Sequence, residues 1–143
     1  MTLDDVRSLL EAPSPAVLTT YRKDGSALTT PIWFRFHQGA FEVVLAEGDV
    51  KRQHLARTPT CLLVVFEVSP PFRGVEVKGE PELEDGDVTA EREAIAGRYL
   101  GVENGRRFAA SRRSPRGTLL RLVPQDTRVW DLTDALPASA GRR

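Results

Sequence analysis

The segment Asp49-Val50-Lys51-Arg52-Gln53-His54-Leu55-Ala56-Arg57-Thr58-Pro59 runs almost directly into Cys61-Leu62-Leu63-Val64-Val65-Phe66. Asp49 is a good N-cap and Pro59 a good stop, so the first part forms a helix of little more than two turns. The strand that follows, Thr60 to Phe66, is apolar on both faces, which suits a central place in a sheet. Lys51 and Arg52 fall in the first turn of the helix. The macrodipole already places partial positive charge there, and Asp or Glu is the usual occupant. Two cations beside unpaired backbone N–H groups either reach into water or hold an anion, such as a phosphate or carboxylate, between them.

Upstream, Ala16 to Tyr21 reads as a strand, Arg22-Lys23-Asp24-Gly25-Ser26 as a hairpin turn built on Asp-Gly, and Ala27 to Phe36 as the returning strand. His37-Gln38-Gly39 turns the chain into a third strand, Phe41 to Ala46. Before them, Thr2 to Glu11 is a short amphipathic helix with Leu3, Val6 and Leu10 on one face and Thr2/Asp5 as a capping-box variant. Pro13 and Pro15 end it.

Downstream, Ser69-Pro70-Pro71 interrupts the pattern. From Arg73 to Glu84 the alternation is nearly strict, with Val75, Val77 and Leu83 inward and Glu76, Lys78, Glu80, Glu82 and Glu84 outward. That predicts one long half-exposed antiparallel strand. Asp87 caps a helix running to Tyr99-Leu100, closed by Gly101. A second helical stretch covers Arg106 to Arg113, and Gly117 to Val123 and Thr127 to Leu132 are the last strands. Residues 1–133 make a single domain, and the tail 134–143, rich in Ala, Pro, Ser and Gly, is expected to be flexible. Short antiparallel strands with inserted helices predict a mainly β (α+β) fold, a small antiparallel barrel.

Composition narrows the function classes. Acidic and basic residues balance at 20 each over 143 residues, so no net field draws the chain to nucleic acid or anionic lipid. The N-terminus Met1-Thr2-Leu3-Asp4-Asp5 lacks an apolar signal region and no apolar run reaches membrane-spanning length, so a cytoplasmic protein is expected. Cys61, the single cysteine, lies in an apolar run and reads as an inert buried thiol. His37 and His54, without cysteine partners or a helical His pair, predict no metal site. No G-x-S-x-G, Walker A or G-x-G-x-x-G motif occurs, and the acids of the Glu-rich strand face solvent. If the chain is an enzyme, a cofactor carries its chemistry.

The order of these motifs resembles the FMN-binding split β-barrel of the pyridoxamine 5′-phosphate oxidase-like superfamily, and within it the flavin/deazaflavin oxidoreductases that use coenzyme F420. The resemblance runs from Ala16 to about Asp131. It is carried by the hairpin Ala16-Val17-Leu18-Thr19-Thr20 through Asp24-Gly25, by Thr30-Pro31-Ile32-Trp33-Phe34, by the Lys51 helix ending in Thr58-Pro59, by Arg98-Tyr99-Leu100-Gly101 and by Arg128-Val129-Trp130-Asp131. It implies that the cofactor phosphate sits against Lys51 of a K-x-x-N-L segment in which His54 replaces the family's Asn. Arg52 assists, while Asp49 stands where the family often has a basic or hydroxyl residue. Thr19, Thr30, Pro31 and Trp33 are implied to form the ring slot. Tyr99 is implied to approach the partner subunit, and Trp130 the cofactor cleft.

The expected function is therefore hydride transfer from reduced coenzyme F420 to an electron-poor organic substrate, by a homodimer with its cofactor sites at the subunit interface. The alternatives are an FMN-dependent oxidase or reductase of the same fold, and a non-catalytic protein that binds a flavin, a deazaflavin or haem. No side chain is singled out as a proton donor. The cluster Arg106, Arg107, Arg112, Arg113 and Arg116 is either a solvated helix face or a receiver for the carboxylates of the F420 tail.

Overall fold

A computed structural model of the chain describes residues 1–137. A 3-10 turn at Leu3–Val6 leads into α1 (Arg7–Glu11), and then come β1 (Ala16–Tyr21), β2 (Ala27–Ile32), β3 (Arg35–His37) and β4 (Ala40–Ala46). Helix α2 (Val50–Arg57) connects to β5 (Cys61–Phe66), β6 (Gly74–Gly79) and β7 (Glu82–Asp87). The helices α3 (Thr89–Leu100) and α4 (Val102–Ala110) precede β8 (Arg116–Leu122), β9 (Asp126–Trp130) and a last 3-10 turn at Thr133–Ala135. That turn overlaps the start of the stretch 134–143 expected to be flexible, of which residues 138–143 lie outside the described residues.

All strand pairs are antiparallel. They form a five-stranded sheet ordered β2-β1-β5-β6-β9 and a four-stranded sheet ordered β3-β4-β8-β7. The α+β split-barrel architecture read from the sequence is the one observed. β5 is central, flanked by β1 and β6, as its two apolar faces require. The shared core packs Leu18, Leu63, Val65, Val75 and Val77 of the first sheet against Phe41, Val43, Leu45, Leu120 and Leu122 of the second. Cys61 is fully buried, and burial pushes its thiol up to about 12, so it stays protonated and inert.

Two expected strands are each divided between the sheets. The strand predicted over Ala27 to Phe36 ends at Ile32, and the chain crosses at Trp33-Phe34 into β3 of the other sheet. Pro31, with no N–H to give, sits on β2 at the sheet edge, where proline is tolerated. At the crossing, Phe34 finds partners on α3: its N–H donates to Tyr99 Oη at 3.3 Å, and its carbonyl accepts from Arg98 Nη1. The strand predicted over Arg73 to Glu84 likewise breaks at Glu80-Pro81 into β6 and β7. Alternation continues through both breaks, because the sheets share one core and inward residues stay inward.

Helix caps follow the sequence. The Asp49 carboxylate accepts the Lys51 N–H at 2.9 Å, Asp87 accepts the Thr89 N–H at 2.9 Å, and Asp5 accepts the Thr2 N–H at 2.6 Å. Gly101 closes α3 at φ +89° and lets the chain turn at once into α4, which begins at Val102 rather than near Arg106. The two helices pack closely enough that a Cβ on Gly105 would lie 2.6 Å from the Gly97 backbone, so glycine is needed at that crossing. This helical pair roofs a cleft on the barrel.

Candidate functional site

A cleft of about 700 Å³ opens between the barrel and the α3–α4 pair, within the usual size of small-molecule sites. Its floor comes from Ala16 and Val17 of β1, Pro31 and Ile32 of β2, and Val44 and Ala46 of β4. Its roof comes from Arg92, Ile95, Ala96 and Tyr99 of α3, with Phe108 and Arg112 from the α4 end. Trp33, at the crossing between sheets, stacks on Tyr99 with ring centroids 5.2 Å apart and planes 14° from parallel, and Phe108 leans on the indole at 5.1 Å and 54°.

The aromatic wall is held from behind. Tyr99 Oη donates to the Ser14 carbonyl at 2.9 Å, and burial holds its pKa above the ordinary phenol value. Next to it, Arg98 reaches across α1, its Nη2 donating to the carbonyls of Leu10, Glu11 and Ala12 at 3.0, 3.1 and 2.6 Å. The pair Arg98-Tyr99 thus fastens α3 both to the end of α1 and to the sheet crossing.

A smaller polar hollow of about 350 Å³ adjoins the cleft at Ala46, which lines both. Gly48, Arg52, Asp85, Arg116 and Thr118 surround it. Here the two cations of the first turn of α2 already have acids. Arg52 makes a fork to Asp85, Nε to Oδ1 at 3.0 Å and Nη2 to Oδ2 at 3.1 Å. Thr118 Oγ1 also donates to Asp85 at 2.5 Å, and these donors hold the Asp85 carboxyl down at about 2. Lys51 Nζ lies 3.2 Å from Asp49 Oδ2 while the other Asp49 oxygen caps the helix. The position an anion would take at this helix N-terminus is held by the protein's own carboxylate.

The fold brings Pro31, Trp33 and Tyr99 together in the cleft and places Thr19, Thr30, Lys51, Arg52, His54 and Trp130 outside its lining. Thr19 is buried, its hydroxyl 2.8 Å from that of Thr29 across the β1–β2 ladder. Thr30 carries a buried hydroxyl with no hydrogen-bond partner among the described residues. His54 is buried under α2 with Nδ1 3.0 Å from Thr20 Oγ1. Trp130 lies over Gly74, whose added Cβ would come 2.1 Å from the indole. In the arginine cluster, Arg106 and Arg107 pair with Glu103, Arg116 pairs with Glu47, and Arg112 is the member that lines the cleft.

Arg92 and Phe108 are cleft residues the sequence reading passed over. A signal for Arg92 exists: it interrupts the stripe Val88, Ile95, Ala96 and Tyr99 at helical spacing, so a charge stands on the buried face of α3. No group of three or more His, Cys, Asp or Glu is placed to hold a metal among the described residues. None of the helices among them is long and apolar enough to cross a membrane.

Two packed antiparallel sheets with a cleft roofed by α3 and α4 define a split-barrel protein. The pyridoxamine 5′-phosphate oxidase family profile matches residues 2–131, and the chain belongs to that family. No curated protein sequence matches the chain. Solved structures with the same fold include a conserved hypothetical protein from Mycobacterium tuberculosis, at 21% identity and a TM-score of 0.79 over 96% of this chain and 89% of that one. An F420 reductase superposes at 19% identity and a TM-score of 0.62, over 85% of this chain and 94% of that one. The haem storage protein HutZ from Vibrio cholerae superposes at 12% identity and a TM-score of 0.65, over 88% and 92%.

Proposed function

We propose that the protein is a cofactor-dependent oxidoreductase in which reduced coenzyme F420, when bound, supplies a hydride to an electron-poor organic substrate. One observation carries this reading. The cleft offers an apolar, aromatic-walled slot, yet among the described residues its lining holds no carboxylate, histidine, serine or cysteine, and the hydroxyl of Tyr99 is tied to Ser14 and Phe34. Such a site binds and orients a planar group and excludes water, and leaves the reaction to what it binds.

The lining fits the ring of a flavin or deazaflavin. Pro31, Trp33 and Tyr99 would flank the ring. Lys51 and Arg52 would hold a phosphate by exchanging Asp49 and Asp85 for it, at the polar hollow that joins the cleft at Ala46. FMN in the same slot, with oxidase or reductase activity, is the second reading, supported by the family. Haem storage, known for the HutZ fold relative, finds less support: neither His37 nor His54 lines the cleft to ligate iron. The active species is proposed to be a homodimer, with Leu100 and Val102, exposed at the α3–α4 turn, as apolar surface for a partner to cover.

Titration of the purified protein with F420 and FMN, followed by absorbance and fluorescence, tests the cofactor. Tighter binding of FMN sinks the F420 assignment, and binding without turnover of any quinone or enone acceptor supports the non-catalytic alternative. A cofactor-loaded monomer in sedimentation removes the shared-site dimer.

A further inference from the structure

Arg92 is buried in the wall of an apolar cleft and has no ion-pair partner among the described residues. Its residue is 6% exposed, and among the described residues its side chain makes one hydrogen bond, Nη1 to the Ser114 carbonyl at 3.0 Å. A guanidinium has five N–H donors and stays protonated, so Nε and Nη2 of this cleft-lining residue have no hydrogen-bond acceptor among the described residues. Arg112 lines the same cleft. Its guanidinium lies 4.2 Å over the Phe108 ring, with Nε to the Phe108 carbonyl at 3.3 Å and Nη2 to Ser111 Oγ at 3.1 Å.

Several other arginines are paired with an acid; Arg22, Arg57, Arg98 and Arg113 form no ion pair among the described residues, and of these the half-buried Arg98 gives its donors to the carbonyls of Phe34, Leu10, Glu11 and Ala12 instead. Arg35 and Arg121 share Glu42, Arg52 has Asp85, Arg73 has Glu67, and Arg128 has Glu76. Arg92 and Arg112 form no ion pair among the described residues. Burial and the repulsion of Arg112 both lower the pKa of Arg92. The acid that opposes them, Asp87, is exposed, and its carboxylate already caps α3 at Thr89. A buried guanidinium in an apolar wall, with the exposed Arg112 guanidinium acting on it, is costly unless a negative group joins them.

We propose that Arg92 and Arg112 form the anion-recognition pair of the cleft, which takes an organic ligand with an apolar body and a carboxylate or phosphate head. Pro31, Ile95 and the Trp33–Tyr99 stack receive the body, and the planar donor forks receive the head. This deepens the functional reading above: it rests on the cleft being the ligand site, and not on which cofactor occupies it.

The test uses the full chain and two fluorescent probes, 1-anilinonaphthalene-8-sulfonate, an apolar anion, and the neutral N-phenyl-1-naphthylamine. The sulfonate probe should bind saturably, with affinity falling about tenfold in Arg92→Gln and about threefold in Arg112→Gln, while the neutral probe stays within about twofold in both. Equal losses for both probes, or unchanged sulfonate affinity in both variants, overturn the pair. Should Arg92→Gln fail to fold, the exposed Arg112→Gln decides alone. F420 and FMN titrated against the same variants separate the sources of the anion: weakened cofactor binding assigns it to the cofactor, and unaffected cofactor binding with weakened sulfonate binding assigns it to the substrate. Wild-type protein that binds the sulfonate probe but neither cofactor keeps the pair and removes the cofactor reading.

Discussion

The phenol ring of Tyr99 on α3 stacks 5.2 Å from the indole of Trp33, while its hydroxyl donates to Ser14 and accepts the N–H of Phe34. One side chain therefore shapes the cleft and satisfies the backbone where the chain leaves one sheet for the other. Tyr99→Phe keeps the stack and strands both backbone groups, so it should destabilise the fold by about 1–2 kcal/mol in urea unfolding. A loss indistinguishable from zero would mean that water replaces the hydroxyl without cost.

Trp33 and Trp130 are the two tryptophans of the chain, and only Trp33 lines the cleft. Ligand binding there should quench the fluorescence of Trp130→Phe much as it does that of the wild type, and should leave Trp33→Phe nearly unquenched. The opposite pattern would move the ligand to the β9 side of the barrel.

Asp49 is the carboxylate that stands between α2 and any phosphate. Asp49→Ser keeps an N-cap acceptor and removes the partner of Lys51, so stability should change by no more than about 0.5 kcal/mol while cofactor binding tightens. Lys51→Ala should weaken cofactor binding by about 1.5–3 kcal/mol. If isothermal titration finds both variants equal to the wild type, the α2 N-terminus does not hold the cofactor.

The Asp85 carboxyl, held near 2 by Arg52 and Thr118, makes the polar hollow acid-sensitive. A depressed folded-state pKa means that the contribution is fully present above the unfolded value of roughly 4 and fades as pH falls toward the folded value. Hydrogen bonds to the carboxylates of Asp24, Asp87 and Asp131 lower their pKa in the same direction. Asp85→Asn should therefore flatten the decline of stability measured from about pH 5 down to about pH 2. Because the side chain is 57% exposed, added salt should shrink the difference.

The parts of the fold that were legible in the sequence are those where local signals agree. Asp24-Gly25 set a hairpin, Asp49 and Pro59 bounded α2, and Cys61 to Phe66 marked the central strand. The two breaks were not legible, because alternation records only which way a side chain faces. It continues across Trp33-Phe34 and Glu80-Pro81 while the hydrogen-bond partners change sheet. Pro31, Trp33 and Tyr99 became site candidates through the family resemblance, the first two as part of a ring slot and Tyr99 as a residue near the partner subunit. Arg92 could not be assigned to a cleft without knowing that the α3 face it occupies roofs one. The ion pairs that engage Lys51 and Arg52 are also tertiary: Asp85 reaches Arg52 from β7, 33 positions along the chain.

Gly74 and Trp130 lie directly opposite each other on β6 and β9, and the indole fills the space a side chain at Gly74 would need. A Cβ there would sit 2.1 Å from Cζ2 and 2.4 Å from Cε2 of Trp130, whose ring also lies 4.8 Å from the Arg128 guanidinium carbon. β9 is an edge strand held to the sheet through β6 alone, so the indole is a main anchor of that edge. Gly74→Ala must push the ring outward, and should cost about 1–3 kcal/mol in the native protein. In Trp130→Ala the obstacle is gone, and adding Gly74→Ala should then be nearly neutral or stabilising, since alanine loses less chain entropy on folding than glycine. Urea unfolding of the two single variants and the double variant gives the coupling between the sites. Additive losses would show that the indole yields freely and that β9 is held by its ladder instead.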